Sequence, residues 1–270
     1  MSKYNGLILY KGPSQLDGKP IVVIATKNSE NRKTGKMIQT WIIRSDISPV
    51  LARRLGDDKS VCGDCKHRDF GTCYVIVGQA PNSVYQAYHR DKYVLYNFYD
   101  ESHINFLKGC SLRIGSYGDP AAVPLEVWEE FCSLVKDWTG YTHQWKYCVQ
   151  KLRCYFMASC DTEQERELAL EMGWRTFRIR LPEQPILFNE FICPASKESS
   201  TDLYCNECGA CCGTFKNNKN TPVIIIHGNN ACVNREELFR KGLKKIKNKK
   251  KWRIDFKSRN KIFKQVCKIG

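Results

Sequence analysis

The stretch that decides the fold is LRCYFMASCDTEQERELALEMGWRTFRIRLP, residues 152–182. It begins with an apolar run of strand length and continues as a polar segment with helical spacing, which Asp161 or Thr162 can cap and Gly173 can end. A second apolar run, RTFRIRLP, follows at once. Strand, helix and strand in this order predict a βα unit whose two strands lie parallel in one sheet.

Similar units flank this stretch on both sides. Upstream lie an apolar run (110–117), an amphipathic helix with Val127, Phe131, Leu134 and Trp138 on one face and Gly140 at its end, and a short strand (141–147). Downstream, PILFNEFICP and TPVIIIHG each predict one more strand. The fold class is therefore α/β, and the number of units favours a partial (β/α) barrel over an eight-fold one.

The first 45 residues predict an antiparallel β extension, because three runs rich in Ile and Val alternate with turn signals. A short helix from Ser48 to Gly56 and a mainly helical, aromatic-rich stretch (80–109) follow. We therefore expect four parts, namely a β-rich segment (1–52), a barrel core with the first cysteine group (53–192), a second cysteine group with the last strand (193–232) and a basic helical tail (233–270).

Cysteine is abundant, with 15 among 270 residues. The first 20 residues lack the apolar region of a secretory signal, and no apolar run approaches the ~20 residues of a membrane helix. We expect a cytoplasmic protein with no membrane partner. In a reducing compartment, clustered cysteines indicate metal or redox sites rather than disulfides.

The second cysteine group has the spacing C-x2-C-x2-C in CNECGACCG (205–213), and a remote Cys193 precedes a proline. Such a run can hold a 4Fe–4S cluster, which a Cys-Pro commonly completes. Zinc is the alternative, because paired thiolates also form structural zinc sites. We favour iron–sulfur at Cys193, Cys205, Cys208 and Cys211, and we assign no role to Cys212.

The first group, Cys62, Cys65 and Cys73, is one ligand short, so a cubane held there has one open iron. A fourth ligand from His67 or Cys110, or one site shared by both groups, are alternatives. The remaining cysteines in predicted strands and helices are ordinary packing residues. Cys160 is the one to watch, because it lies at a strand end.

Polar residues follow three predicted strands: Gly115, Gly118, Asp119 and Pro120 after the first, His143 and Gln144 after the second, and Ser159 and Asp161 after the third. Loops at the carboxyl ends of barrel strands build active sites, so these groups predict a pocket. Glycine allows a ligand to approach the backbone. Capping of the next helix is the simpler role for Asp119.

The motifs VCGDC…GTCYV, RIGSYGDP and CPAS…CNECGAC…VIIIHG together resemble an uncharacterised phage-encoded family labelled "gene product 88", over about residues 45–230. The label carries no established activity. It implies a phage protein acting in the cytoplasm of a bacterial host.

More distantly, the chain resembles radical S-adenosylmethionine (SAM) enzymes, which have partial barrels. That resemblance implies a 4Fe–4S cluster on Cys62, Cys65 and Cys73 with Tyr74 beside it, and SAM bound near Gly118, Asp119 and Pro120. Gly115 and Ser159 are expected beside the same site. An auxiliary cluster would fall to the second group. The superfamily's usual spacing is C-x3-C-x2-C, from which C-x2-C-x7-C departs.

The charge is concentrated at the C-terminus, where residues 235–270 hold 15 Lys and Arg against 3 acids, within a total net charge of +15. Interleaved aromatics predict contact with nucleic acid, and a solvated tail is the plainer alternative. The expected contacts are Lys244, Lys245, Lys249, Lys250, Lys251, Trp252 and Arg253.

Two main hypotheses follow. The first is an iron–sulfur enzyme of radical SAM type acting on or near nucleic acid. The second is a non-catalytic nucleic-acid-binding phage protein stabilised by zinc or an iron–sulfur cluster. A redox sensor or electron carrier is a third interpretation of the same cysteines.

Overall fold

The computed structural model describes residues 4–27, 32–201, 203–215, 219–226 and 235–248. Within them, the chain forms a mixed α/β fold around two sheets. Their strand orders are β4-β1-β2-β3-β5-β6 and β10-β11-β9-β8-β7. The strands are β1 Gly6–Pro13, β2 Pro20–Thr26, β3 Ile38–Arg44, β4 Val94–Leu95, β5 Ser111–Tyr117, β6 Asp137–Thr139, β7 Tyr141–Thr142, β8 Met157–Cys160, β9 Thr176–Arg180, β10 Glu190–Ile192 and β11 Thr221–Ile225.

Helices connect most of these strands. They are α1 Pro49–Leu55, α2 Lys59–Cys62, α3 Lys66–Phe70, α4 Ala80–Tyr88, α5 Glu101–Leu107, α6 Leu125–Leu134, α7 Glu163–Glu171, α8 Cys205–Cys208 and α9 Arg235–Asn248. Local signals explain their starts: Ser48 caps α1 by accepting a hydrogen bond from the Leu51 amide, and Thr162 caps α7 through the Glu165 amide. No helix in the described part of the chain is long and apolar enough to cross a membrane.

The predicted antiparallel extension is confirmed, because β1 pairs with β2 and β2 with β3 in antiparallel register. It continues directly into the rest of the fold, since β3 pairs with β5 in parallel. The segment before residue 52 therefore shares a sheet with the segment after it. The central strands β2 and β3 of this sheet are buried. Every residue of β3 is buried, as is the apolar run Ile21–Ala25 in β2.

Parallel pairing runs through both sheets, and the predicted unit at 152–182 is confirmed. β5 pairs with β6, β7 with β8, and β8 with β9. β9 then pairs with β11 and β11 with β10. Only Gly140 separates β6 from β7, so one short bent segment, residues 137–142, belongs to both sheets. The carboxyl ends of β5, β7 and β8 consequently come together.

Two predicted strands are shorter in the structure, since β7 covers only Tyr141–Thr142 and β8 begins at Met157 after a 3₁₀ helix at Gln150–Cys154. Two stretches predicted as helix also differ. The helix predicted to run through Trp138 ends at Leu134, and Trp138 lies in β6. Val135 adopts extended backbone, and the buried Trp138 indole donates to the Tyr155 carbonyl oxygen at 2.8 Å. Residues 80–109 hold two helices with the short strand β4 between them, rather than continuous helix. In both cases the spacing of the apolar residues is compatible with a helix and with an extended chain, so the sequence pattern does not distinguish the two.

Candidate metal centres

The first cysteine group lies on a compact loop made of α2, α3 and the residues after them. Gly63 and Gly71 turn the chain with positive φ angles of 55° and 69°. An ion pair between Arg68 and the buried Asp58 fastens the two short helices to each other. Burial, with the neighbouring thiol of Cys65, Asp58 and the thiol of Cys73, holds the pKa of the Cys62 thiol well above its ordinary value. The loop thus brings three thiols into one neighbourhood.

This loop rests on three strand ends that the sequence predicts to meet. After β5, the Asp119 amide donates to the Val61 carbonyl oxygen at 2.6 Å. After β7, the Gln144 side chain donates to the Cys62 carbonyl oxygen at 3.3 Å. After β8, Asp161 Oδ1 lies 3.0 Å from His67 Nε2. The convergence of polar strand ends is therefore present, and the cysteine loop covers it.

His67, His143 and Asp161 are the closest group of metal-ligating atoms in the described part of the chain, all within 4.8 Å of one another. His67 is held on its other nitrogen by Thr72 Oγ1 at 2.7 Å, and its ring stacks on Phe239 of α9 with centroids 5.8 Å apart. Lys66 Nζ lies 3.6 Å from Asp161 Oδ2. A protein cation is thus already beside the carboxylate, and a hydrogen-bonded support for the loop is the simplest function of this group.

The polar residues after β5 have structural roles. Asp119 is buried, and its oxygens accept from the Ala121 amide at 2.9 Å and the His143 amide at 2.7 Å, which is the capping role. Gly118 has a φ of 85°, and a Cβ there would lie 2.6 Å from the Ile42 carbonyl oxygen. Pro120 is buried, and its carbonyl accepts from the Trp128 indole. The described contacts account for each of these residues without a ligand.

The other residues predicted to bind a cofactor, Ser159, Gly115 and Tyr74, each have partners within the protein. Ser159 is buried within β8, and its carbonyl oxygen accepts from the Trp145 indole at 3.0 Å. Gly115 has a φ of 70°, and its amide donates to Thr40 Oγ1. Tyr74 is half exposed, and its hydroxyl accepts from Arg113 NH2 at 3.3 Å. Their roles toward a cofactor stay predictions.

The second group is gathered around one cavity. Cys193 follows β10, Cys205 and Cys208 begin and end α8, and Cys211 lies beyond the left-handed turn at Gly209. All four line a cavity that holds about 300 Å³ not filled by protein, part of it open to solvent. The sulfur set predicted from the C-x2-C-x2-C spacing and the Cys-Pro pair is thus gathered around one cavity from two parts of the chain.

Backbone contacts fix the segment that carries these cysteines. The Gly140 amide donates to the Cys211 carbonyl oxygen at 3.1 Å. The Arg175 guanidinium donates to the Ala210 and Gly213 carbonyl oxygens, each at 2.8 Å. Cys212 is buried in the main apolar core, so its role is packing. The cavity is therefore built onto the bend between the two sheets.

Cationic side chains lie close to the cysteines of the cavity. No carboxylate lines it within the described residues, and its polar lining beyond the cysteines is Thr139 and Tyr141. Lys33 lies near Cys193 and Cys205; burial lowers the pKa of this lysine, although the two thiols oppose that shift. Burial raises the pKa of the Cys193 thiol to about 11. Cationic neighbours favour occupation by a group of net negative charge.

The spacing of the sulfurs bears on which metal could bind. Across the described residues, no three cysteine sulfurs lie within 4.8 Å of one another. One zinc ion would require close approach, because each Zn–S bond is only about 2.3 Å. A four-iron cluster holds its thiolates farther apart, since each binds a different iron. Four thiols around one cavity are the donor set that such a cluster requires. In neither cysteine group do three sulfurs approach one another as closely as the ligands of a single zinc ion.

Sequence reasoning missed the residues that surround these thiols, chiefly Arg113, Tyr141 and Lys33. The available signal was Arg113 itself, a charged residue inside the apolar run SLRIGSY. Burial of a charge is unfavourable unless the charge has a partner, so an arginine in a buried strand indicates that a partner lies close by. Comparison with known proteins finds no matching family model, no matching curated protein and no matching solved structure.

Proposed function

We propose that the chain is an iron–sulfur protein of radical SAM type, with an open cluster on Cys62, Cys65 and Cys73 and an auxiliary cluster on the second group. The observation that carries the proposal is the placement of the two groups. One lies on a loop over three parallel strand ends, and the other lines one cavity beside the bent segment.

The order of elements supports a partial barrel. The parallel strands follow one another as β3, β5, β6 with β7, β8 and β9, and they lie in that order across the two sheets. The three-cysteine loop follows β3, and the YGDP turn follows β5. This is the arrangement that the resemblance to radical SAM enzymes implies for the cluster loop and the SAM loop.

The first group has the features expected of an open cluster site. Three thiols offer three ligands, which leaves one iron for another ligand. His143 Nε2 is buried without a described hydrogen-bond partner on the same strand ends. When bound, such a cluster would supply electrons to its open-site ligand. The residues of the chain would hold the cluster, exclude water and position that ligand.

SAM is a separate question from the cluster. Both oxygens of Asp119 are already engaged by backbone amides, so its carboxylate is poorly placed to receive the SAM amino group. The C-x2-C-x7-C spacing also departs from the usual motif. We therefore test cluster binding and SAM cleavage by independent measurements.

The second candidate function is a non-catalytic nucleic-acid-binding protein stabilised by metal. The basic helix α9 favours it, because Phe239 is fully buried against the first cysteine loop while Lys244 and Lys245 are exposed. The predicted contacts at Lys249, Lys250, Lys251, Trp252 and Arg253 lie outside the described residues. In either function, α9 would bring nucleic acid close to the first cysteine group.

Anaerobic purification with iron, sulfide and zinc analysis tests the proposal. We expect about eight irons per chain in the wild type and about four in each of two triple serine variants, one at Cys62, Cys65 and Cys73 and the other at Cys205, Cys208 and Cys211. Cys154→Ser is the matched control and keeps all of the iron. Formation of deoxyadenosine from SAM by the reduced protein, abolished in the first triple variant, tests the enzyme class.

Two results would decide against it. A colourless protein with stoichiometric zinc favours the non-catalytic function. Eight irons with no deoxyadenosine would retain the clusters and remove the radical SAM assignment, leaving electron transfer.

A further inference from the structure

Within the part of the chain that the structure describes, Arg113 is a buried cation without an anionic partner. It lies in β5 and is 8% exposed, and among the described residues it forms no ion pair. Its NH2 group donates to the Tyr74 hydroxyl at 3.3 Å, and its guanidinium carbon lies 4.5 Å from the centre of the Tyr141 ring. Its NH1 group is buried without a hydrogen-bond partner among those residues. Both neighbours are phenol side chains, so no carboxylate among the described residues compensates the charge.

Several other buried arginines of this chain have carboxylate partners. Arg178 binds Glu190 through two hydrogen bonds, and Arg180 pairs with Glu198. An unpaired buried charge is strongly unfavourable, because its hydration is removed and not replaced. The contrast indicates that the partner of Arg113 is a group other than the described side chains.

The four-cysteine cavity is a candidate place for such a group, because Tyr141 contacts Arg113 and also lines the cavity. Tyr141, which the guanidinium covers, lines the cavity, and its hydroxyl hydrogen-bonds the Cys211 sulfur. Thr139, from the other side of Gly140, also lines the cavity, and its Oγ1 has no hydrogen-bond partner among the described residues. Four thiolates around a metal cluster carry net negative charge. The Arg113 guanidinium contacts the Tyr141 ring, which lines the cavity, so a cluster bound there would be an anion close to this cation.

We propose that Arg113 is the counter-ion of the cluster at Cys193, Cys205, Cys208 and Cys211, and that it raises the reduction potential of that cluster. The inference rests on the proposed function, because it needs a redox-active cluster in this cavity. One-electron reduction by an external reductant adds one negative charge to the cluster. A fixed and buried cation stabilises that charge and so favours the reduced form.

The experiment isolates the second cluster and measures its potential. The background is the triple serine variant at Cys62, Cys65 and Cys73, reconstituted anaerobically and titrated with dithionite, with the reduced cluster followed by electron paramagnetic resonance. Into it are placed Arg113→Met, Arg113→Lys and, as a matched control, Arg54→Met on the exposed face of α1. We expect a more negative potential for Arg113→Met and potentials near the parent value for the other two.

The outcomes separate the two proposals. An unchanged potential in Arg113→Met at full iron occupancy overturns the counter-ion role and leaves the proposed function standing. No iron in the parent background overturns both. Should Arg113→Met fail to fold, Arg113→Gln retains hydrogen bonding without charge, and the same negative shift is expected. If Arg113→Lys shifts as far as Arg113→Met or Arg113→Gln, geometry rather than charge is responsible, and the inference fails.

Discussion

At the residue scale, ion pairs inside the second sheet stand out. Glu190 has a fully buried side chain, and its carboxylate binds the fully buried Arg178 through two hydrogen bonds of 2.6 and 2.7 Å. Arg166 Nε also lies 3.0 Å from Glu190. One carboxylate therefore compensates two guanidinium groups. The other arginines of the stretch RTFRIR have their own partners, since Arg180 pairs with Glu198 and Arg175 donates to backbone carbonyl oxygens.

We predict that Glu190→Gln destabilises the protein by about 3–5 kcal/mol, because it leaves two buried cations without a carboxylate. Urea unfolding followed by far-ultraviolet circular dichroism measures the change. The matched control is Glu183→Gln, which removes an exposed pair with Arg240 and should leave the midpoint almost unchanged. Equal midpoints for the two variants would show that the buried pair is not needed for stability.

At the element scale, the bent segment 137–142 joins the two sheets. Gly140 lies at the bend, where its amide donates to the Cys211 carbonyl oxygen and its own carbonyl accepts from the Met157 amide. A Cβ at this position would lie 2.6 Å from the Phe156 ring and 3.3 Å from Ile114. The bend therefore depends on the absence of a side chain, which lets two buried strands approach.

We predict that Gly140→Ala destabilises the fold by about 1–3 kcal/mol through overpacking. Thermal unfolding monitored by intrinsic fluorescence gives the difference. Gly78→Ala is the control, since a Cβ there meets nothing closer than Val50 at 4.0 Å, and its stability should match the wild type. A Gly140→Ala protein as stable as this control would mean that Phe156 moves aside without cost.

The same element shows where sequence reasoning reaches its limit. The βα unit of residues 152–182 follows from local signals, since two strands flank α7 and Thr162 caps it as predicted, but the first strand begins only at Met157 because Gln150–Cys154 forms a 3₁₀ helix. The end of α6 could not be predicted, because Trp138 continues the helical spacing, whereas its pairing with Leu112 of β5 and its hydrogen bond to Tyr155 place it in a strand. Local patterns specify elements; partners distant in sequence decide their ends.

At the scale of the whole molecule, the cysteine sets were predictable and their surroundings were not. The C-x2-C-x2-C spacing and the Cys-Pro pair identified four thiols that line one cavity, whose role as metal ligands stays a prediction, and the strand order predicted the meeting of three polar ends. Arg113 and Tyr141 reach the second group from other strands, so no local spacing links them to it. The docking of α9 on the first loop through Phe239 likewise joins residues far apart in the chain.

That docking gives the last prediction. Phe239 is buried beside His67 and Phe70, so α9 is held with Lys244 and Lys245 outward. If this face binds nucleic acid, Lys244→Ala with Lys245→Ala should weaken binding to a single-stranded oligonucleotide. The slope of log K against log salt should become shallower by roughly 1.4, which is about 0.7 for each phosphate that is no longer neutralised.

Fluorescence anisotropy at several salt concentrations measures this slope, and thermal unfolding checks that the fold is intact. The control removes the same charge elsewhere, with alanine at the exposed Lys92 and Lys136. Because counter-ion release depends on phosphates that the protein neutralises, only lysines at the binding face change the slope. Equal slopes for both double variants would exclude α9 as the binding face and leave it as a structural helix that covers the first cysteine loop.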